Sequence, residues 1–176
     1  MVSRIEFSRN PELTVKRVPS DAQHIGKLKS LDVYWHEPDS DEGDVYVTRQ
    51  DERNRKRIVA LLQFGKFPGK PAWQVDMASV NPQYQGHGIV PMIYRFLMLN
   101  IPGFILQAGS TQSRGGRAIW NVLANFKDIV VYTMKGKEAI ELGSDPLSGE
   151  VSGEEDGITV YGDYDDNKTQ VYATKR

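Results

Sequence analysis

The hydrophobic pattern of this chain changes its period between Val80 and Ile89. Over Trp73–Val80, successive side chains alternate as they do in a strand. After the change, apolar residues recur at helical spacing, namely Ile89, Met92, Ile93, Phe96, Leu97 and Leu99. A strand that leads through a short loop into an amphipathic helix can bury both apolar faces when the helix packs on a sheet. The pattern therefore predicts a layered fold of sheet and helices.

Two earlier strands are predicted to form a meander with Trp73–Val80. Val45–Thr48 is rich in β-branched and aromatic residues, and Arg57–Phe64 contains an apolar run typical of a buried central strand. Short turns join the three strands, so we expect antiparallel pairing. Later elements follow from the same signals: strands at Phe104–Leu106, Ile129–Tyr132, Ile158–Tyr161 and Gln170–Ala173, and a helix at Gly115–Phe126. The predicted class is α+β (mixed α/β), with a central mixed, mostly antiparallel sheet flanked by helices.

Three further segments are assigned from local signals. Glu12–Val18 is interpreted as a short strand. Pro19 and the residues after it are predicted to open a helix that carries Ile25 and Leu28 on one face. The segment Lys135–Gly157 is rich in Gly, Ser, Asp and Glu, which indicates a hairpin loop or a partly mobile insert.

Composition narrows the classes of function. The chain has 176 residues, no cysteine and a formal net charge of -1. We expect one domain over residues 1–176, without disulfides, thiolate metal sites or a cysteine nucleophile. His24, His36 and His87 are too scattered in the sequence to predict a metal site. No signal-peptide pattern and no apolar run of membrane-spanning length is found, so we expect a cytoplasmic protein without a membrane partner.

The loop at the change of period carries the pattern Gln-x-x-Gly-x-Gly at Gln83, Gly86 and Gly88. A Rossmann fingerprint would need a third glycine where Pro91 stands, and a Walker loop would need Gly-Lys-Ser/Thr. The first N–H groups of a helix are unpaired and carry partial positive charge. Glycines lack a Cβ, so an anion can approach the backbone closely. The loop therefore predicts a cradle for a phosphate or pyrophosphate.

In this strand–loop–helix context, the pattern resembles the coenzyme A pyrophosphate loop of the GNAT N-acetyltransferase superfamily, Gln/Arg-x-x-Gly-x-Gly/Ala. The strand ending at Val80-Asn81-Pro82 is also similar to that family, and the resemblance covers roughly residues 58–132. It implies a GNAT-like sheet and an acyl-CoA, in the first place acetyl-CoA, whose acyl group passes to an amine by direct attack. The cofactor contacts that it implies are Ser79, Val80, Gln85, Gly86, His87, Gly88, Ile89 and Val90.

The resemblance also implies where catalysis would lie. In the family, the strand before the loop often supplies a carboxylate base, and the corresponding residue here is Asp76, which could otherwise be a solvent-facing strand residue. A tyrosine in the helix after the next strand commonly serves as the acid, and Trp120 stands in its place here. An indole N–H does not act as an acid near neutral pH. We therefore interpret Trp120 as a core residue.

The polar run Gly109–Arg117 leads into that second helix and is similar to acetyltransferase-like proteins encoded by bacteriophages. The resemblance places the run beside the acyl group and the acceptor. Alternatively, a serine of the run is the helix N-cap and its arginines are surface charge. The candidates in the run are Ser110 and Ser113 for catalysis, and Gln112, Arg114 and Arg117 for binding an acceptor, the arginines suiting an acidic or phosphorylated one.

Three functions stay open at this point. The first is an enzyme that acylates an amine on a small molecule or a macromolecule. The second is a binding or structural protein that kept the fold and lost the acid. The third is modification of a nucleobase or nucleic acid, suggested by the arginines near Gln112 and by a basic hairpin tip at residues 53–57. Because Asp51 and Glu52 lie beside that tip, it is interpreted as a solvated turn. A homodimer is compatible with all three functions.

Overall fold

The computed structural model describes residues 17–109, 111–147, 151–155, 158–161 and 170–176. Within these ranges the strands are β1 (Gln23–Leu28), β2 (Leu31–Asp39), β3 (Glu42–Gln50), β4 (Lys56–Lys66), β5 (Trp73–Val80), β6 (Leu106–Gln107), β7 (Thr111–Ser113), β8 (Ile129–Lys135), β9 (Glu138–Glu141), β10 (Val151–Glu155), β11 (Ile158–Tyr161) and β12 (Val171–Lys175). The helices are α1 (Ile89–Asn100) and α2 (Arg114–Asn125), and a 3-10 turn covers Pro82–Tyr84.

Nine of the described strands form one mixed sheet, in the order β1-β2-β3-β4-β5-β6-β12-β8-β9. Neighbouring strands are antiparallel except β5 and β6, which are parallel and are joined through α1. A second, three-stranded antiparallel sheet contains β10, β11 and β7. The predicted α+β class, with a mixed and mostly antiparallel sheet, is confirmed.

The predicted meander is confirmed as β3, β4 and β5. In the middle strand, β4, the apolar run at residues 58–62 is buried because strands pair with it on both sides and side chains cover both of its faces. Tyr46, Leu61 and Ser79 stand opposite one another across the three strands. The connections at residues 51–55 and 67–72 are turns, as their charge and their Pro and Gly content predict.

The two helices share the main core with the sheet. Ile93 and Leu97 of α1 and Trp120 and Leu123 of α2 are buried in one cluster. Trp120 is 4% exposed, so its interpretation as a core residue is confirmed. Each helix has 12 residues, and among the described residues none is long and apolar enough to cross a bilayer.

The helix predicted after Pro19 is wrong, because the segment forms strand β1. Gly26 has a φ of 135°, far from any helical value, and β1 pairs with β2 across a turn that begins at Lys29. Phe96 of α1 packs against this strand so closely that a Cβ at Gly26 would lie 3.1 Å from its ring. Pairing with β2 and contact with α1 therefore override the local helix signal.

Several other predictions hold with changed boundaries. The strand predicted at Phe104–Leu106 is β6, which covers Leu106–Gln107. Part of the hairpin predicted in 135–157 is confirmed, because β8 and β9 pair across a turn in which Gly136 has a φ of 63°. The predicted terminal strands are β11 and β12. Of the strand predicted at Glu12–Val18, residues 12–16 lie outside the described residues, and residues 17–18 are not in a strand.

Candidate functional site

The loop between β5 and α1, residues 81–88, is tied to the end of β5 by hydrogen bonds. The side chain of Asn81 accepts a bond from the N–H of Gln83 at 3.1 Å and so caps the 3-10 turn. The Asn81 N–H donates to the carbonyl of Val59 in β4 at 2.7 Å. Gln85 Nε2 donates to the carbonyl of Val80 at 2.8 Å. These contacts hold this glycine loop in a defined position beyond the sheet.

Gly86 and Gly88 are required by the backbone of the glycine loop. Their φ angles are 75° and 68°, in the left-handed region that costs other residues about 1–2 kcal/mol. A Cβ at either position would meet no heavy atom within 4 Å, so the space in front of both is open. His87, between them, is exposed. The turn itself thus explains the two glycines, and it leaves room for a ligand.

Helix α1 begins on this loop, and among the described residues no side chain caps its N-terminus by a hydrogen bond. Gly88 is the N-cap and makes no side-chain cap bond, and the first turn contains no acidic residue. The first N–H groups of a helix have no acceptor within the helix. Pro91 has no N–H, so the N–H groups of Ile89 and Val90 are the ones that this turn can offer to a ligand. The helix dipole favours an anion at this end. The side chains of Val90 and Ser79 are buried, so these two residues could contact a ligand mainly through their backbone.

Strands β5 and β6 pair over only two residues each, 73–74 with 106–107. The Ala108 N–H then donates to the carbonyl of Val171 at 2.8 Å, so the chain follows β12 instead of β5. Among the described strands, none pairs with residues 75–80 on this side. The gap opens toward the carboxyl ends of two parallel strands, where the glycine loop also lies. In open sheets with parallel strands, that end is the usual position of ligands.

Asp76 lies at a β-bulge in β5, because the pairing with β4 skips it. A Cβ at Gly65 of β4 would lie 2.6 Å from Asp76 Oδ2, so the carboxylate covers that glycine. Phe64 packs in the main core with the helices, and Gly65 and Asp76 therefore face the other side of the sheet. Asp76 is exposed to solvent, as a solvent-facing strand residue would be. Partial burial of its carboxylate against Gly65, and then the nearby charge of Glu42, still raise the pKa of Asp76. A carboxylate with a raised pKa is a stronger proton acceptor than an ordinary aspartate.

The run Gly109–Arg117 is not one continuous loop. Its residues 111–113 form β7, in which Gln112 and Ser113 pair with β11, and α2 begins at Arg114. The local pattern did not indicate this strand because its partner lies far along the chain. Arg117 Nη2 lies 3.2 Å from a carboxylate oxygen of Asp145.

Ser110 lies outside the described residues. The functional roles of Ser110, Gln112, Ser113 and Arg114 stay predictions. Arg117 is half-buried and holds a carboxylate of its own chain, so an anionic acceptor would have to compete with Asp145 for its guanidinium.

A cavity of about 1340 Å³, which was not predicted from the sequence, lies between the glycine loop and the turn that joins β3 and β4. We call this cavity the basic groove, and the turn with its flanking residues, 51–57, the basic hairpin. Asn81, Gln83 and Tyr84 border the basic groove on the loop side. Its other border contains six basic and two acidic residues: Arg17, Arg49, Arg53, Arg55, Lys56 and Arg57, with Asp51 and Glu52.

A second cavity, of about 690 Å³, adjoins the basic groove at Tyr84 and is called here the apolar pocket. Arg49 and Tyr84 border both cavities. The apolar pocket takes its name from four aliphatic lining residues, Leu28, Leu31, Ile89 and Met92. Its lining also contains polar side chains, namely Lys29, Ser30, Gln50, Gln83 and His87. Neither cavity is lined by Asp76 or by residues 106–117. The basic groove and the gap beside β5 are therefore separate features that meet at the glycine loop.

Part of the basic groove was visible in the sequence, since residues 53–57 are conspicuously basic. Arg17, Arg49 and Tyr84 are distant from that segment along the chain, and only the folded sheet assembles them around it. Among the described residues, no group of three or more His, Cys, Asp or Glu side chains is arranged to hold a metal ion. No protein-family model matches this chain, and comparisons with curated proteins and with solved structures found no match.

Proposed function

We propose that the protein is an acyl-CoA-dependent N-acyltransferase of the GNAT type, with acetyl-CoA as the first candidate donor. The observation that carries the proposal is the coincidence of three features at one end of β5. These are the Gln83/Gly86/Gly88 pattern, the N-terminus of α1 without a side-chain cap and the gap between β5 and β6. An ordinary strand–helix turn accounts for the glycines, whereas it does not require the adjoining gap.

The donor fits this end of the sheet in two respects. Its diphosphate suits the N–H groups of Ile89 and Val90, with Gly86 and Gly88 leaving space in front of the loop. The unpaired side of β5 offers backbone donors and acceptors to an extended, amide-containing arm, as in β-strand addition. On this arrangement, the acyl end would lie along residues 75–80.

Transfer would form a C–N bond between the amine and the thioester carbon while the C–S bond breaks. The attacking ammonium must first lose a proton, and we assign this proton to Asp76, directly or through a water molecule. Its raised pKa suits the role. Asp76 lies four residues before Val80, about 13 Å along an extended strand, so it is distant from the diphosphate and closer to the acyl end. We assign Ser110 and Ser113 as hydrogen-bond donors toward the departing thiolate. The second proton, which the nitrogen loses as the amide forms, protonates that thiolate, and Asp76 returns the first proton to water.

Calorimetry and thermal unfolding with CoA and acetyl-CoA test the proposal. A ligand that binds only the folded protein and is present at 100 times its Kd adds about 2.7 kcal/mol to the free energy of unfolding. We therefore expect a clear rise in Tm at millimolar CoA. An unchanged Tm together with no heat of binding at that concentration would rule out the donor assignment.

A second candidate function is a GNAT-type binding protein without transferase activity. The observation that favours it is Trp120, which stands where the family has its acid and is buried in the core. Release of free thiol from acetyl-CoA, measured against a panel of amines, separates the two functions. CoA binding without amine-dependent thiol release would favour the binding protein, and amine-dependent release would favour the enzyme.

A further inference from the structure

The basic groove concentrates positive charge on a protein whose net charge is -1. Six basic residues and two acidic residues line it, which leaves a local excess of four positive charges. All six basic side chains are exposed. Such a concentration attracts polyanions, and opposite charges in a groove raise the local concentration of a charged ligand. The groove is therefore a candidate site for a ligand that carries several phosphates.

One carboxylate organises the cations of the basic hairpin. Asp51 Oδ1 accepts bonds from the backbone N–H groups of Arg53 and Arg55, both at 2.9 Å. Asp51 Oδ2 accepts from the Nε of Arg55 at 2.9 Å and of Arg57 at 3.0 Å. Because only the Nε of these two arginines is engaged among the described residues, their Nη groups are available for a ligand. The hairpin thus presents two guanidinium groups whose orientation is set before a ligand arrives.

Aromatic rings stand beside two further cations at the groove. Arg49 Nη1 donates to the hydroxyl of Tyr84 at 3.2 Å. This bond links β3, the strand before the basic hairpin, to the glycine loop. Lys56 Nζ lies 4.5 Å from the ring centroid of Tyr34. Of these two rings, only that of Tyr84 lines the groove. A ring beside cations is a feature of surfaces that bind nucleic acid strands.

The two adjoining cavities differ in character. The basic groove is lined by six cationic residues, whereas the apolar pocket is lined by two, Lys29 and Arg49. The rest of the pocket's lining is four aliphatic residues, Tyr84, His87 and three uncharged polar residues. A single nucleic acid strand has the same division, since its backbone is anionic and its unpaired bases are flat and largely apolar on their faces. A duplex hides its bases in the stack, and an inorganic polyphosphate has none. The pair of cavities therefore suits a single strand best.

We propose that the basic groove and the apolar pocket together bind single-stranded nucleic acid, with phosphodiesters at Arg49, Arg55 and Arg57 and a base in the apolar pocket. This inference goes beyond acyl transfer and does not depend on it. Binding is measured without CoA, so a failure of the donor assignment leaves this test intact, and the reverse also holds.

The test is fluorescence anisotropy of a labelled, mixed-sequence 12-nucleotide DNA strand titrated with the full chain at about 50 mM salt. We expect saturable binding, with a slope of log affinity against log salt of about -2 or steeper for three or more phosphate contacts. A duplex of the same sequence and an inorganic polyphosphate should bind at least tenfold more weakly. Equal affinity for either competitor, or no binding of the strand, would overturn the proposal.

A matched pair of variants tests the location of the site. Arg55→Gln/Arg57→Gln should weaken strand binding at least tenfold. Lys135→Gln/Lys137→Gln removes the same charge from another exposed hairpin, between β8 and β9, and should change the affinity less than twofold. Equal losses in both variants would mean general charge attraction and overturn the site. Arg55→Lys/Arg57→Lys keeps the charge and guards against misfolding of the glutamine variant. This lysine variant should bind the strand more tightly than the glutamine variant and more weakly than the natural chain. It keeps the charge, but lysine lacks the Nε–H that arginine donates to Asp51.

Discussion

The glycine loop and the basic hairpin border the same groove, yet they would attract anions by different means. The glycine loop offers backbone N–H groups at the start of α1 and contains no Asp, Glu, Lys or Arg. The basic hairpin offers guanidinium and ammonium groups, organised by Asp51. The positions of backbone donors are set by the φ and ψ angles of the loop, whereas the positions of side-chain donors are set by the groups to which they are hydrogen-bonded.

This difference determines how each region can be damaged. The glycine loop depends on φ values of 75° and 68°, so it is sensitive to an added side chain. The basic hairpin depends on one carboxylate with four hydrogen bonds, so it is sensitive to the loss of an acidic residue. The loop suits one diphosphate at a defined position, while the hairpin suits a longer anion.

The largest effect is expected for Gly86→Asp on CoA binding. The new carboxylate would project into the open space in front of the loop and repel the diphosphate. We expect at least a hundredfold loss of affinity by calorimetry, which corresponds to about 2.7 kcal/mol.

Gly103→Asp is the matched control for that variant. Gly103 also has a positive φ, 70°, and open space around it, but it follows the other end of α1. Both variants should lose a similar free energy of unfolding, about 1–2 kcal/mol, and only Gly86→Asp should lose CoA. Equal CoA affinity in the two variants would show that the glycine loop is only a turn.

A smaller effect, about three- to tenfold, is expected for Asp51→Asn on strand binding, on the scale of one ordinary hydrogen bond. The substitution makes the basic groove more positive, so simple charge attraction predicts tighter binding. If the carboxylate organises Arg55 and Arg57, binding becomes weaker instead. Glu52→Gln makes the same change of charge at a neighbour that accepts none of these bonds, and it should tighten binding slightly. The organising role of Asp51 is wrong if anisotropy shows tighter binding for both variants.

Asp51 of the basic hairpin and Asp76 of β5, the strand that leads into the glycine loop, should affect stability with opposite dependence on pH. Hydrogen bonds, first from the Arg55 backbone, lower the pKa of Asp51 from 3.8 to about 2, whereas burial raises the pKa of Asp76. A lowered pKa contributes stability that is present above pH 3.8 and is lost as the pH falls toward 2. A raised pKa makes the folded state less stable as the pH rises from 3.8 through the raised value.

Urea unfolding at pH 7 and pH 3 measures this difference. Asp51→Asn should lower the free energy of unfolding relative to the natural chain, and more at pH 7 than at pH 3. Asp76→Asn should raise it, again more at pH 7. Changes of the same sign in both variants would contradict the assigned environments.

The smallest effect is expected for Tyr84→Phe, which removes only the hydroxyl that joins Arg49 to the glycine loop. The contact is exposed to solvent, so strand affinity should change about threefold or less and CoA affinity should stay the same. Tyr84→Ala also removes the ring and should weaken strand binding clearly more. Equal anisotropy curves for both variants would show that the ring contributes nothing to the site.

The sequence alone determined those parts of the fold whose signals are local. The alternation of Trp73–Val80, the apolar run in β4 and the helical spacing after Ile89 place the meander and α1, because each pattern is complete within its own element. The glycine loop was found for the same reason. A turn that needs a positive φ is usually occupied by glycine, so the sequence alone can indicate it.

Only the tertiary structure decided the remainder, because it depends on residues that are distant along the chain. Strand β1 forms through its pairing with β2 and its contact with Phe96, and β7 forms through its pairing with β11. The basic groove likewise needs the folded sheet to bring Arg17, Arg49 and Tyr84 to the basic hairpin. A local pattern reports on neighbours within one turn or one pleat, whereas pairing register and groove composition depend on which segments meet after the chain has folded.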